Sequence, residues 1–309
     1  MRRAVLLYNP ASGRRRSPWA VPAIRSALTA DDWRVDLLPT EGPGTAPNQL
    51  RRAVAAGSPD AVFVYGGDGT LREAAQGLLG TGIPFAPLPG GTTNVICHSL
   101  GLPRDPVAAA ELLSRSRSRE IAVGRLDDRI FLMQLSAGLD AAVLAAVDGE
   151  AKARWGRTAV LAAALSLFWR YPFLPIEARW DEGRASGGFV AVANIPHYAG
   201  PFRLARISPE ERTLELVVHR DSGRWTTLLF ALDLLRGRLS RRQDLLRVPV
   251  TRVTIEAPEG TPFQIDGDPC SVETPVTVRV GDELLPALLP PSRWRASPST
   301  STVSNLTPG

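Results

Sequence analysis

The first 120 residues repeat one pattern, an apolar strand that breaks at a glycine or polar turn and passes into a helix. RAVLLYN (3–9) and DAVFVYG (60–66) are continuous apolar runs, as strands covered on both faces require. WRVDLLP (33–39) alternates like a strand, and IPFAPLPGG (83–91) is a short strand entering a glycine pair. Between them WAVPAIRSALTA (19–30), PNQLRRAVAAG (47–57, with Gly57 as C-cap) and TLREAAQGLLG (70–80) read as helices. This rhythm predicts an α/β fold with a parallel sheet under helices. Ligands of such sheets sit at the carboxyl ends of the strands.

The rhythm changes after residue 120. REIAVGRL, RIFLMQLSAG, LPIEARW, GGFVAVANI, TLELVVHR, VPVTRVTIEAP, TPFQID and PVTVRVG are short strand-like runs between turns. Helical blocks at roughly 150–170 and 224–238 interrupt them. Many short strands in a row predict a β-sandwich. The expected division is an α/β domain at 1–122, with 285–292 as a candidate return to it, and a β-sandwich at 123–284. The Ser-, Thr- and Pro-rich end, 293–309, reads as a disordered tail.

Composition narrows the function classes. At 309 residues, with 44% hydrophobic and 22% charged residues, the chain can build ordinary cores. A net charge of +5 points to phosphate-bearing partners. Lys152 is the only lysine, which excludes a Walker-type loop and the usual kinase-strand lysine. Cys97 and Cys270 are far apart and show neither metal-ligand spacing nor a disulfide framework, so the expected compartment is reducing and cytoplasmic. The arginines are scattered and not interleaved with aromatics, which argues against nucleic acid. TAVLAAALSLFW (158–169), bracketed by Arg157 and Arg170, is too short to cross a bilayer. It reads as a core helix, as a wall of an acyl-chain cleft, or as a segment in peripheral contact with a membrane surface.

Three polar loops end strands of the first unit: NPASGRRR (9–16), GGDGT (66–70) and PGGTTN (89–94). All three are expected at one rim of the sheet. There glycines let the backbone approach phosphate oxygens and helix N-termini present oriented N–H groups.

With these loops the sequence resembles the diacylglycerol kinase catalytic domain family, within it the bacterial soluble lipid kinases that are also similar to sphingosine kinases. The resemblance runs through NPASG, GGDGTLREAAQGL, PLPGGTTNVICHSLGLP, SAGLDAAV, KARWGRTAVLAAAL, VANIPHYAGPFRLA and FQIDGD, and covers nearly all of the chain up to about residue 290. It implies a nucleotide-binding α/β domain, then a β-sandwich lipid-substrate domain, with the active site in the cleft. The implied reaction is transfer of the γ-phosphoryl group of ATP to a lipid hydroxyl, with Mg2+. The implied nucleotide contacts are Asn9, Thr40, Gly66, Gly67, Asp68, Gly69, Thr70, Leu71, Arg72 and Thr92, with Gly91 and Asn94 of the third loop.

Phosphoryl transfer needs positioning, charge neutralisation and a base within reach of the attacking hydroxyl. The candidate catalytic carboxylates are Asp68, Asp266 and Asp268, with Asp140 a weaker one. The resemblance makes Asp268 the proton acceptor, in the last position of an Asp-Gly-Glu triplet that here ends in aspartate. Val95 and His98 stand where the family often has Asp and Arg. A structural magnesium turn of the family would be framed here by Ser208, Glu211 and Thr213, with Arg212 in place of its glycine. Alternative readings are an NAD-kinase-like phosphotransferase and a catalytically degenerate lipid- or nucleotide-binding protein.

Overall fold

A computed structural model of the chain describes residues 1–12, 17–146 and 157–291. Arg14 to Arg16, Lys152, Arg154 and the expected tail at 293–309 lie outside the described residues.

Four parallel strands open the fold: β1 (Arg2–Tyr8), β2 (Trp33–Pro39), β3 (Ala61–Gly66) and β4 (Phe85–Pro89). All six residues of β3 are buried, as its unbroken apolar run requires. β5 (Arg117–Ile121) and β18 (Leu285–Leu289) complete the sheet in the order β2-β1-β3-β4-β18-β5. β18 is parallel to β4, and β5 is antiparallel to β18.

The helices are α1 (Ser17–Ala30), α2 (Ala46–Gly57), α3 (Asp68–Leu78), α4 (Val95–Ser99) and α5 (Pro106–Ser114). α1 pairs with α5 and α2 with α3, which covers both faces of the sheet. The chain leaves β1 towards β2 on one side and leaves β3 towards β4 on the other. The crevice between the carboxyl ends of β1 and β3 is therefore the topological switch point, the place where such sheets hold ligands.

The remaining strands form two antiparallel sheets. One is made of β6 (Gly124–Leu126), β7 (Arg129–Phe131), β9 (Ile176–Trp180), β10 (Gly183–Gly187), β14 (Arg252–Glu256) and β17 (Val276–Val280). The other holds β8 (Gln134–Gly138), β11 (Phe189–Ala193), β12 (Leu214–His219), β13 (Leu245–Val250), β15 (Phe263–Ile265) and β16 (Asp268–Cys270). Their facing side chains, such as Ile176, Ile255 and Val278 against Val190, Leu216 and Phe263, form one apolar core. REIAVGRL, expected as one run, breaks at Ala122–Val123 and sends β5 and β6 into different sheets.

Three more helices are described: α6 (Leu139–Ala146), α7 (Arg157–Arg170) and α8 (Arg224–Leu235). The outer face of β11 and β12, with Phe189, Ala191 and Val217, packs under Phe230 and Leu234 of α8. Successive residues of these strands thus serve two cores, the pleat's period of two in use on both faces.

Candidate active site

Strand register sets the rim. Tyr8 lies opposite both Pro39 and Tyr65, and Gly66 opposite Pro89, so Asn9, Thr40, Gly67 and Gly90 all follow strand ends at one level. Hydrogen bonds stitch the loops together. The Thr40 N–H donates to the Tyr8 carbonyl at 2.9 Å, and Asn9 Nδ2 to Thr70 Oγ1 at 3.4 Å. Ser12 Oγ donates to the Gly90 carbonyl and the Gly90 N–H to the Gly66 carbonyl, each at 2.9 Å.

The glycines divide into two groups. A Cβ on Gly90 would lie 2.8 Å from the Gly66 nitrogen, one on Gly91 2.7 Å from the Gly67 Cα, and one on Gly66 2.6 Å from the Thr70 Cβ. Gly90 and Gly91 are thus needed for the second and third loops to touch, and Gly66 for its own loop to fold back under Thr70. Gly67 and Gly69 meet nothing closer than 3.6 Å and 3.8 Å. Their bare backbone faces the rim without a protein contact that demands glycine, as a cradle for phosphate oxygens would.

Asp68 starts α3 two residues before the expected helix start, with Gly67 as N-cap. Its carboxylate does not hang free. Oδ1 accepts the Ile96 N–H at 3.0 Å, and Oδ2 accepts the Val95 N–H and the Thr93 hydroxyl at 3.1 Å each. Asp68 therefore caps α4 across the loop, and burial raises its carboxyl against the lowering effect of those three donors. Asn94, with φ of 47°, turns its amide back on Gly91, accepting its N–H at 2.7 Å and donating to its carbonyl at 2.9 Å. Thr92 is exposed. Leu71 corrects an expectation: its side chain is fully buried in the sheet's core and its N–H is bonded to the Gly67 carbonyl, so neither can meet a nucleotide.

The DGD segment is a two-residue hairpin loop. Ile265 pairs with Asp268, and Asp266 and Gly267 between them have φ of 51° and 86°, the pattern of a type I′ turn. Asp266 was expected among the catalytic carboxylates, and the structure assigns it otherwise. It is 5% exposed and accepts the N–H groups of Leu132, Met133 and Gln134 at 2.9, 2.9 and 3.0 Å. Burial pushes its carboxyl up to about 6 against the Arg72 charge and those donors. It pins the β7–β8 connection to the hairpin. Asp268 is the open carboxylate, 52% exposed on its side chain. Arg72 of α3 reaches it at 2.9 Å and also donates to the Ile265 carbonyl at 2.9 Å. A Cβ on Gly69 would lie 3.8 Å from Asp268 Oδ2, so hairpin and glycine loop meet face to face.

Asp140 belongs to a separate, enclosed cluster. Its Oδ2 accepts from the Ser136 hydroxyl and from the Tyr198 hydroxyl at 2.6 Å, and Gln264 donates to Ser136 Oγ at 2.5 Å. Burial raises the Asp140 carboxyl despite these donors. His98 is exposed on α4, its ring 4.5 Å from that of His197. His197 Nδ1 is 2.9 Å from Ser99 Oγ, and burial, with His98 and Arg203 beside it, pushes the ring down to about 4. Tyr198, Gln264 and His197 were not singled out from sequence. The segments VANIPHYAGPFRLA and FQIDGD, quoted for their resemblance, contain all three without marking them.

The turn expected to frame a structural magnesium is closed by its own chain. Glu211 Oε1 accepts the Ser208 N–H at 3.2 Å, Glu210 pairs with Arg119 at 2.9 Å, and Arg212 pairs with Glu120 at 3.0 Å. Among the described residues no group of three or more His, Cys, Asp or Glu could hold a metal ion. One oxygen of Glu211 is already engaged within the turn. At the hairpin that faces the glycine loop Asp268 is an open carboxylate, which fits a magnesium that takes most of its shell from phosphates and water.

On the apolar side, α7 is not a buried core helix over the residues described. Trp169 is 62% exposed and stands against Trp225 of α8, itself 60% exposed, at 5.9 Å between rings. No helix among the described residues is long and apolar enough to cross a membrane.

Residues 3–126 match the model of the diacylglycerol kinase catalytic domain. The chain is 35% identical over 150 residues to a Pseudomonas putida protein named "Probable lipid kinase YegS-like", a match spanning 47% of this chain and 50% of that one. It is 28% identical over 277 residues to a diacylglycerol kinase of Mycobacterium tuberculosis, covering 85% of this chain and 87% of that one. A solved structure of a Bacillus anthracis diacylglycerol kinase has the same fold, with a TM-score of 0.74 over 94% of this chain and 98% of that one, at 24% identity. Over residues 3–126 the chain is thus similar to the diacylglycerol kinase catalytic domain, and along most of its length to bacterial lipid kinases.

Proposed function

We propose that the chain is an ATP-dependent kinase that phosphorylates a hydroxyl group of a diacylglycerol, a sphingoid base or a related lipid. We read residues 1–122 with β18 as the nucleotide-binding unit and residues 123–284 as the β-sandwich that presents the lipid. The observation that carries the reading is the Arg72 bridge, which joins the helix after the glycine loop to the one exposed carboxylate of the hairpin.

In this reading the open N–H face of Gly67 and Gly69, with Thr92, holds phosphate oxygens. ATP and magnesium, when bound, supply the phosphoryl group and neutralise its charge. The Asp268 carboxylate takes the proton of the lipid hydroxyl as it attacks, and Arg72, bonded to its Oδ2, orients it. Asp68 and Asp266 hold the two loops in register. Thr40 and Asn9 shape the wall beyond β1 and β2. Contact with a membrane surface is the natural route to the acceptor, and the compartment is the cytoplasm, at the inner face of its membrane.

The test is a panel of lipid alcohols incubated with ATP and magnesium and read by mass spectrometry. The reading requires a lipid phosphate product that vanishes in Asp268→Asn. Phosphorylation of NAD alone, or an unchanged rate in that variant, refutes it.

A further inference from the structure

A second cavity, of about 590 Å³, opens on the outer face of the sheet formed by β8, β11, β12, β13, β15 and β16, at the C-terminal end of α8. None of its lining residues belongs to the glycine loops or to the β15–β16 hairpin. Four arginines line it: Arg203, Arg206, Arg236 and Arg247. No carboxylate is among the lining residues. The contrast with a neighbouring arginine is sharp. Arg242, outside the cavity, is held by Asp244 and, at 2.8 Å, by Asp233. Arg206, Arg236 and Arg247 make no ion pair with a described carboxylate, and Arg206 and Arg236 are exposed.

Charges of one sign gathered around a concavity repel one another, and an anion relieves that repulsion. Arg247 is half-buried, with its Nε donating to the Leu204 carbonyl at 2.9 Å. Burial, with Arg206 nearby, depresses its guanidinium, while Glu215 acts the other way. Glu215 is itself occupied. It is buried and accepts the N–H groups of Arg206 and Ile207 at 2.5 and 3.1 Å.

The lining also includes apolar side chains, among them Phe202, Leu235 and Leu239. Leu235 is 54% exposed, and Leu229 and Trp225 are exposed further back along α8. Positions 225, 229, 232 and 236 fall on one side of a helix, with 235 beside them. An apolar track therefore runs from the aromatic pair at the start of α8 down to the arginine cavity at its end.

We propose that this cavity binds the phosphate headgroup of an amphiphile, a phosphomonoester lipid, whose chain lies along the α8 track. The site is separate from the phosphoryl-transfer rim and does not depend on turnover. It gives the chain a way to hold a charged lipid while its rim acts on a neutral one.

Calorimetric titration of the full chain tests this, with dihexanoyl glycerol phosphate below its aggregation threshold as the probe. Dihexanoyl glycerol and inorganic phosphate serve as the two half-ligands. The full probe is expected to bind at least about tenfold more tightly than either half, since each half forgoes the charged or the apolar contact. Arg206→Ala combined with Arg236→Ala is expected to weaken the probe by about 10- to 100-fold with an unchanged melting temperature, both side chains being exposed. Leu235→Ser is expected to weaken the lipid and leave inorganic phosphate as before. Asp268→Asn is expected to leave binding unchanged, so failure of the kinase reading and failure of this one are told apart. Equal affinity in the arginine double variant overturns the proposal. So does equal affinity for the neutral lipid, which would make the track a plain apolar groove, or for inorganic phosphate, which would make the cavity a simple anion site.

Discussion

Two turns of this molecule set a carboxylate beside glycine, Gly67-Asp68-Gly69 at the parallel sheet's rim and Asp266-Gly267-Asp268 in the β15–β16 hairpin. In the first, the aspartate is drawn inward by three donors from the loop after β4. In the second, one aspartate is drawn inward by three backbone N–H groups, and its neighbour two positions on faces solvent. The difference lies in the donors that surround each side chain. A buried carboxylate persists where N–H groups converge on it, because leaving either partner unmatched is expensive. Asp268 has no such converging donors and meets only the movable guanidinium of Arg72. A buried, fully bonded aspartate and an exposed one therefore stand two positions apart in one hairpin.

Substitutions can break this comparison, beginning with the largest effect. Asp268→Asn is expected to lower kcat by about 10²- to 10⁴-fold, the usual worth of a general base, with the unfolding midpoint unmoved. Steady-state kinetics and a thermal melt on the same sample check both halves. Asp266→Ala is expected to do the reverse first. It leaves three backbone N–H groups without an acceptor, at roughly 1–3 kcal/mol each, so urea unfolding should show a loss of at least about 3 kcal/mol.

The pH dependence of stability sharpens the same point. Asp266 holds its proton more tightly folded than unfolded, about 6 against 3.8. Its stabilising contribution is complete below the unfolded value and is lost as pH rises through about 6. At about 1.4 kcal/mol per pH unit that is a fall of roughly 3 kcal/mol across this window. His197 runs the other way, because its folded value of about 4 lies below the ordinary imidazole value of 6.5. Its contribution is present above 6.5 and fades as pH drops towards 4. Unfolding curves across pH 4 to 6 should lose the Asp266 slope in Asp266→Ala and the His197 slope in His197→Gln.

Smaller effects follow at the rim. Gly91→Ala drives a Cβ to 2.7 Å from the Gly67 Cα, and overpacking of that kind costs about 1–3 kcal/mol. Asp68→Ala removes the cap of α4, for about 0.5–2 kcal/mol. A kinetic loss in Asp68→Ala larger than the loss of folded protein would show that it also meets the nucleotide. Gly67→Ala meets only ordinary contacts and should change stability by less than about 0.5 kcal/mol while raising KM for ATP.

Much of the first sheet was legible because its signals are local. A strand such as AVFVYG announces burial in six consecutive letters, and WRVDLLP occupies its expected span, 33–39. α5 was passed over although its start is written out: Asp105 accepts the Ala108 N–H at 2.8 Å and Pro106 is its first residue. The convergence of the three loops was legible too, since βα order alone places them at one rim. The division of labour among the carboxylates was not. Asp68 finds its partners 25 to 28 positions later and Asp266 its own 132 to 134 positions earlier, and no short motif encodes contacts at that separation. Leu71 shows the converse error, where a motif letter serves the core beneath the motif.

β18 has a consequence for the order of events during synthesis. Residues 285–289 slot between β4 and β5, and β5 has no other strand partner among the described residues. Until those residues leave the ribosome, β4 carries a bare edge and residues 117–121 wait unpaired. A nascent chain that has already made every residue of the glycine rim must still hold that edge apart from other chains. The last of the described strands closes the first sheet to be started, so that sheet cannot mature piecemeal in chain order, and its slowest folding step should be the one that brings β18 back to β4.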